Sequence, residues 1–226
     1  WSSDVCSSDL LLCLPVPMPG QGQLEPAAPG SRSHAVASTA ARVQPGPAVQ
    51  TAMVRAFADG AANAAGPYRI TPERRALLNT IRFAEGTWTG GGHDGYRMIY
   101  GGRLVADLSR HPEVTVRSRY TSAAAGAYQF LPRTWQEAAR LLRLPDFGPA
   151  SQDQAALYLV EKRGVLQRFD RQGLCRELLA RLAPEWASLP SRSGQSYYGQ
   201  PVHDAEELLR FYNSQLTRER AAGTDR

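Results

Sequence analysis

The sequence predicts an α+β domain of mainly helical character with one small β-hairpin, preceded by a long segment that has no core of its own. Three observations carry this reading. Apolar residues recur at helical spacing in several stretches between Thr71 and Leu216. One Gly-Gly pair, Gly101-Gly102, lies between short aromatic and β-branched runs. From about Gly20 to Pro67 the chain is rich in Ala, Pro, Gly, Ser and Gln, and seven of its sixteen prolines fall between Pro15 and Pro47. Such a stretch buries too little apolar surface to offset its ordering entropy.

These composition shifts divide the chain. Residues 1–19 read as a truncated or spurious start followed by the remnant of a signal-like segment, Leu10-Leu11-Leu12-Cys13-Leu14 and then Pro15, Pro17 and Pro19. Residues 20–70 are expected to form a linker, with a weak helical patch near Val54–Phe57. Residues 71–216 hold the folded domain, and 217–226 a polar tail. The signal-like remnant implies a secreted or periplasmic protein.

Within the domain each element has its own cue. Thr71 is a natural N-cap, Pro72 suits the first helical position and Glu73 the first turn; Leu77, Leu78, Ile81 and Ala84 then form one apolar face. Gly86 is placed to end that helix. Thr87–Asp94 is a glycine-rich loop, and Tyr96–Tyr100 and Arg103–Val105 flank the Gly101-Gly102 turn as a hairpin. Residues 107–121 read as irregular. Pro132 opens a helix to Leu144, with Trp135, Ala139 and Leu142 on one face. Ser151-Gln152-Asp153-Gln154 reads as a capping box at the start of a helix that ends at Gly164. A further helix covers about Leu174–Leu182, with a resumption after Pro184 as far as Leu189. A last one runs from Asp204 to about Leu216, after a Ser/Gly/Tyr loop at 191–200.

One residue breaks the apolar pattern. Counting on by four from Leu77 and Ile81 reaches Glu85, which puts a carboxylate on the buried stripe at the negative end of a helix dipole. Both circumstances favour the protonated form, which is what a general acid needs near neutral pH. The spacing alone leaves a second reading open, a Glu at a frayed helix end pointing into water.

Composition narrows the rest. The formal net charge is +5, but the basic residues are dispersed and no nucleic-acid-binding module is recognisable. A solvated basic surface, or affinity for polyanionic cell wall, accounts for the charge without nucleic acid as a partner. The three cysteines, Cys6, Cys13 and Cys175, have no metal-ligand spacing. Cys175 reads as a buried, inert thiol, and His93 and His111 as loop residues without metal-ligand companions. No stretch is long enough to span a membrane.

Many short strings occur together in one order: Phe83-Ala84-Glu85-Gly86-Thr87, Gly95-Tyr96 with Gly101-Gly102, Asp107 to Pro112, Ala125-Gly126-Ala127-Tyr128-Gln129, Ser151-Gln152-Asp153, Lys162-Arg163-Gly164, Trp186-Ala187-Ser188-Leu189-Pro190 and Tyr198-Gly199-Gln200. In that order the chain resembles the lambda-type phage endolysins, glycoside hydrolase family 104, over about Thr71–Leu216. The resemblance implies a lysozyme-like fold and lytic transglycosylase action on peptidoglycan, with Glu85 as the catalytic acid/base. It implies cleavage between N-acetylmuramic acid and N-acetylglucosamine, giving a 1,6-anhydro end without cofactor or metal. It also implies a monomer whose partner is the glycan strand. It places Tyr128 and Gln129 at the cleft; Ser122 and Gly126, small residues that let backbone approach a ligand, read as narrowing that wall or as a tightly packed loop, and Tyr198 and Gln200 as facing the cleft from the other side or as an exposed turn. Trp88 is a candidate for stacking on sugar, whereas Trp135 and Trp186 read as core.

Two positions depart from the family's pattern. Arg97 stands where the lambda member carries an acid, and Ala127 where the family has Arg. Asp94 and Asp107 remain as candidate second carboxylates or as loop hydrogen-bonders. Hydrolysis as in a simple lysozyme, or a wall-binding module without turnover, are the competing outcomes, and a phage-encoded lysin with an unrelated leader is the alternative to an exported protein.

Overall fold

In the computed structural model, residues 66–118, 120–199 and 201–224 are described. The Val54–Phe57 patch, the signal-like remnant, most of the linker and Gln200 lie outside these residues. The described part is mostly helical with a single two-stranded antiparallel sheet. The helices are α1 (Pro72–Ala84), α2 (Pro132–Leu142), α3 (Pro149–Lys162), α4 (Leu166–Gln172), α5 (Arg176–Leu182) and α6 (Ala205–Thr224). The strands are β1 (Val116–Arg117) and β2 (Thr121–Ser122), with Val116 opposite Ser122.

Helix α3 is the axis of the domain. Every residue from Ser151 to Leu157, with Leu159 and Val160, is buried, so this helix has almost no solvent face. Its polar residues are therefore paired, as burial requires. Asp153 accepts hydrogen bonds from the Tyr96 hydroxyl at 2.8 Å and the Tyr128 hydroxyl at 2.5 Å, and forms an ion pair with Arg75 at 2.6 Å. Gln152 donates to the carbonyls of Tyr96 and Phe147 at 2.9 and 2.7 Å and accepts from the Ala127 N–H at 2.8 Å. Gln154 brackets the Tyr68 backbone, donating to its carbonyl and accepting from its N–H, each at 2.8 Å. The Ser151–Gln154 run is thus no capping box. The helix begins earlier, at Pro149 with Gly148 as N-cap, while Asp146 accepts from both the Gly148 N–H and the Ser151 hydroxyl. The contact with Tyr68 also docks the end of the expected linker onto the domain.

Helix α1 packs along α6. Helix α6 continues eight residues past the predicted end, into the expected polar tail, because α1 gives it partners there. Arg220 pairs with Glu73 at 2.9 Å, and the Asn79 amide donates to Gln215 and Glu219 at 3.4 and 3.3 Å.

The predicted strand Tyr96–Tyr100 is only partly realised. Asp94–Arg97 is a short 3₁₀ helix, and pairing across the glycine turn is limited to a bridge between Met98 and Leu104. Tyr96 and Ile99 are both buried, a spacing of three that a strand's alternation cannot provide. The turn itself forms: Ile99 N–H donates to the Arg103 carbonyl at 2.8 Å, and Gly101 and Gly102 have φ of 85° and 87°. The extended strands lie instead at the end of the stretch read as irregular, with Ser122 just beyond it. The segment after Pro184 is a series of turns rather than a helix, drawn inward by buried Trp186 and Leu189. Helix α4 was not predicted, since Leu166 and Phe169 are its only buried residues.

Asp153 joins three elements, so its loss strands two buried hydroxyls and a half-buried guanidinium. Asp153→Ala should lower stability by about 3–5 kcal/mol, measured as a shift in the denaturant midpoint.

Candidate active site

Helix α1 ends on Glu85. Gly86, with φ of 70°, donates its N–H to the Phe83 carbonyl at 3.1 Å, and the Thr87 N–H reaches back to the Arg82 carbonyl at 2.9 Å. This pair of bonds is a Schellman termination, which fixes the direction in which the Glu85 side chain leaves the helix. Thr87 is buried and its hydroxyl donates to the Ala127 carbonyl at 2.5 Å, tying the helix end to the Ala125–Phe130 segment. On the other side Arg82 is buried between the rings of Trp88 and Tyr96, at 4.9 and 4.6 Å, and donates to the Gly92 carbonyl at 2.7 Å. Trp88 is thus occupied by this guanidinium and by an edge contact with Phe211.

The Glu85 carboxyl lines a cavity of about 300 Å³. Burial pushes its pKa up to about 7, against the lowering effect of the Ser188 hydroxyl and a Ser188 backbone hydrogen bond. The hydroxyl donates to Glu85 Oε1 at 2.5 Å. Desolvation wins, so near neutral pH a large fraction of Glu85 carries a proton.

Of the residues expected around Glu85, Ser122, Tyr128 and Gln129 line the same cavity. Ser122 closes β2, and its oxygen accepts from the Ala124 N–H at 3.1 Å. The Tyr128 hydroxyl is committed to Asp153, and its carbonyl accepts from the Trp186 indole at 3.2 Å. Gln129 is held at φ 46°, a left-handed conformation that non-glycine residues seldom adopt, and its amide donates to the Gly126 carbonyl at 2.9 Å. Gly126 lies behind this wall. A Cβ there would sit 2.3 Å from Gln152 Oε1, so the position admits only glycine. Tyr198 is not a lining residue; its hydroxyl donates to the carbonyl of Pro184, which is one.

Asp94 and Asp107 are exposed and away from the cavity lining. Asp94 faces Arg97 at 3.7 Å, and Asp107 accepts from the Ser109 N–H, which holds its carboxyl below the usual range. His111 is buried, with Nε2 at 2.9 Å from the Phe130 carbonyl and Nδ1 accepting from the Glu113 N–H. Burial lowers its pKa and keeps the ring neutral. Cys175 is half-buried at the N-cap of α5. Trp135 and Trp186 are core residues. Among the described residues no group of three or more His, Cys, Asp or Glu could hold a metal ion.

Sequence reasoning missed Ser188, although it lies in the Trp186–Pro190 string. It also missed a charged group on the cavity wall: Glu137, Lys162, Arg163 and Glu185. Glu137 accepts from Lys162 at 2.8 Å and from the Tyr158 hydroxyl at 2.7 Å. Burial raises its pKa, but these bonds outweigh it and hold the carboxyl below the usual range. Glu185 pairs with Arg163 at 2.7 Å.

Comparison with known proteins converges on one family. The endolysin family profile matches residues 75–218. The chain is 39% identical over 145 residues to the endolysin of Escherichia phage lambda, covering 62% of this chain and 89% of that protein. It is 33% identical over 156 residues to the endolysin of Escherichia phage P2, covering 62% and 90%. Bacteriophage lambda lysozyme complexed with a chitohexasaccharide superposes with a TM-score of 0.58 at 36% identity, covering 66% of this chain and 96% of that one. A second structure of lambda lysozyme gives 0.54 at 33% identity, covering 69% and 97%. With a protonatable glutamate in a cleft on this fold, the chain belongs to the endolysin family and is a peptidoglycan-cleaving glycosidase.

Proposed function

We propose that the chain is a lytic transglycosylase that cuts the β-1,4 bond from N-acetylmuramic acid to N-acetylglucosamine with Glu85 as its single acid/base. The observation that carries this is the half-buried Glu85 carboxyl on the cavity wall, whose pKa burial raises to about 7. The protonated carboxyl donates to the leaving oxygen as positive charge develops at the muramoyl C1. The resulting carboxylate then takes the proton of the muramoyl C6 hydroxyl, whose oxygen closes on C1. The product is a 1,6-anhydro end, no water is consumed, and Glu85 finishes in its starting state.

A two-carboxylate hydrolysis has less support. Asp94 and Asp107 lie off the lining, and the position where the resemblance implies an acid is Arg97 in this chain. Glu137 and Glu185 do line the cavity, but each is engaged by a cation. Ser122, Gln129 and the Tyr128 ring form the wall against which we place the sugar, with Gly126 shaping that wall from behind. Tyr198 supports the opposite rim through Pro184. The catalytic unit is the domain from about residue 71 onward, acting as a monomer.

The site of action is the cell wall. Similarity to the endolysins of phages lambda and P2 supports the phage-encoded lysin reading over the exported cellular enzyme. Among the described residues no helix is long and apolar enough to cross a membrane.

Glu85→Gln should lower lytic activity on purified wall by at least ~10²-fold, the scale of general acid catalysis, while leaving wall pelleting intact. Mass spectrometry of wild-type digests should show anhydro-muramoyl ends, each lighter by one water than the reducing ends of hydrolysis. Reducing ends alone would establish the muramidase alternative. Because the acid must be protonated, kcat/KM should fall as pH rises through about 7, and Ser188→Ala should move that limb upward by removing a bond to the ionised form.

A further inference from the structure

The cavity that holds Glu85 carries more charge than a glycan strand can use. Glu137 from α2, Lys162 and Arg163 from the end of α3, and Glu185 from the loop after α5 all contribute to its lining. In peptidoglycan the lactyl carboxyl of each substituted muramoyl sugar is consumed in an amide bond. The strand is then neutral, and its charge resides on the peptide stem, which bears free carboxylates and, where not cross-linked, a free amine. A cleft built only for sugar has no need of this mixed set.

The Lys162–Glu137 pair is poorly explained as a strut for the fold. The side chains of Lys162 and Glu137 are 37% and 35% exposed, a setting in which a pair contributes little stability. The Arg163–Glu185 pair is better buried on the carboxylate side, with Glu185 13% exposed, but Arg163 gives it only its Nε, at 2.7 Å. Its two terminal nitrogens make no hydrogen bond among the described residues, which leaves a planar fork suited to a carboxylate.

Resting on the function proposed above, we infer that Lys162 and Arg163, with Glu137 and Glu185 beside them, form a subsite for the charged peptide stem. This subsite makes the enzyme selective for stem-bearing over bare glycan. The stem's carboxylates meet the Arg163 fork and Lys162, and its amine meets the two glutamates.

The test compares soluble glycan strands that carry stems with the same strands stripped by an amidase, using the full chain. Wild type should show a kcat/KM at least ~10-fold higher on stem-bearing strands, the scale of one charge-assisted hydrogen bond. Lys162→Met and Arg163→Gln should each pull that ratio towards one. Lys162 belongs to an exposed pair, so its variant keeps the test alive if Arg163→Gln does not fold, as thermal melts would reveal. Equal cleavage of both substrates by wild type, or variants that slow both in the same proportion, would overturn the subsite. Cleavage of neither substrate by wild type would instead remove the enzymatic reading on which it rests.

Discussion

The partial withdrawal of one carboxyl from water governs this molecule. Glu85 sits where α1 stops, and the two Schellman bonds at Gly86 and Thr87 leave its side chain little choice of direction. Burial raises its pKa more than Ser188 lowers it. The remaining structure can be understood as what holds that arrangement in place: the Thr87 anchor to Ala127, the Arg82 clamp on the glycine loop, and the Trp186 indole on the Tyr128 carbonyl.

The arrangement has a cost with a definite sign. A carboxyl whose folded pKa lies above its unfolded value binds more protons when folded across the interval between the two. Its contribution is therefore fully present below the unfolded value of 4.5 and is lost as pH rises through about 7. A shift of that size amounts to roughly 3 kcal/mol at most. The buried polar axis of α3 offsets it. Asp153, Gln152 and Gln154 each join loops that would otherwise be free to move, and all have their partners satisfied. Stability is concentrated at Asp153 and the desolvation cost at Glu85; Tyr128 bonds to the first and lines the same cavity as the second.

Much of this was legible in the sequence where the signal is local. Thr71, Pro72 and the spacing from Leu77 to Glu85 gave the first helix and the candidate acid, because caps and helical periodicity act within a few residues. The Gly101-Gly102 turn was legible for the same reason. Two-residue strands have no periodicity to read, so β1 and β2 escaped. The Ser151–Gln154 run resembled a helix start because its true partners, Tyr96, Tyr128, Arg75 and Tyr68, are remote in sequence. Ser188 lies 103 residues from the carboxyl it contacts. The charged wall from Glu137 to Glu185 likewise exists only once α2, α3 and the loop before Pro190 are brought together.

The central claim is a protonation state, and it can be observed without substrate. Selective carbon labelling of glutamate, with the Glu85 signal assigned through Glu85→Gln, permits an NMR titration of that carboxyl in the folded protein. The account requires a midpoint near 7, well separated from the bulk of the glutamates. A midpoint at the ordinary value of 4.5 would show a solvated carboxylate, and Glu85 could not then serve as the acid described above.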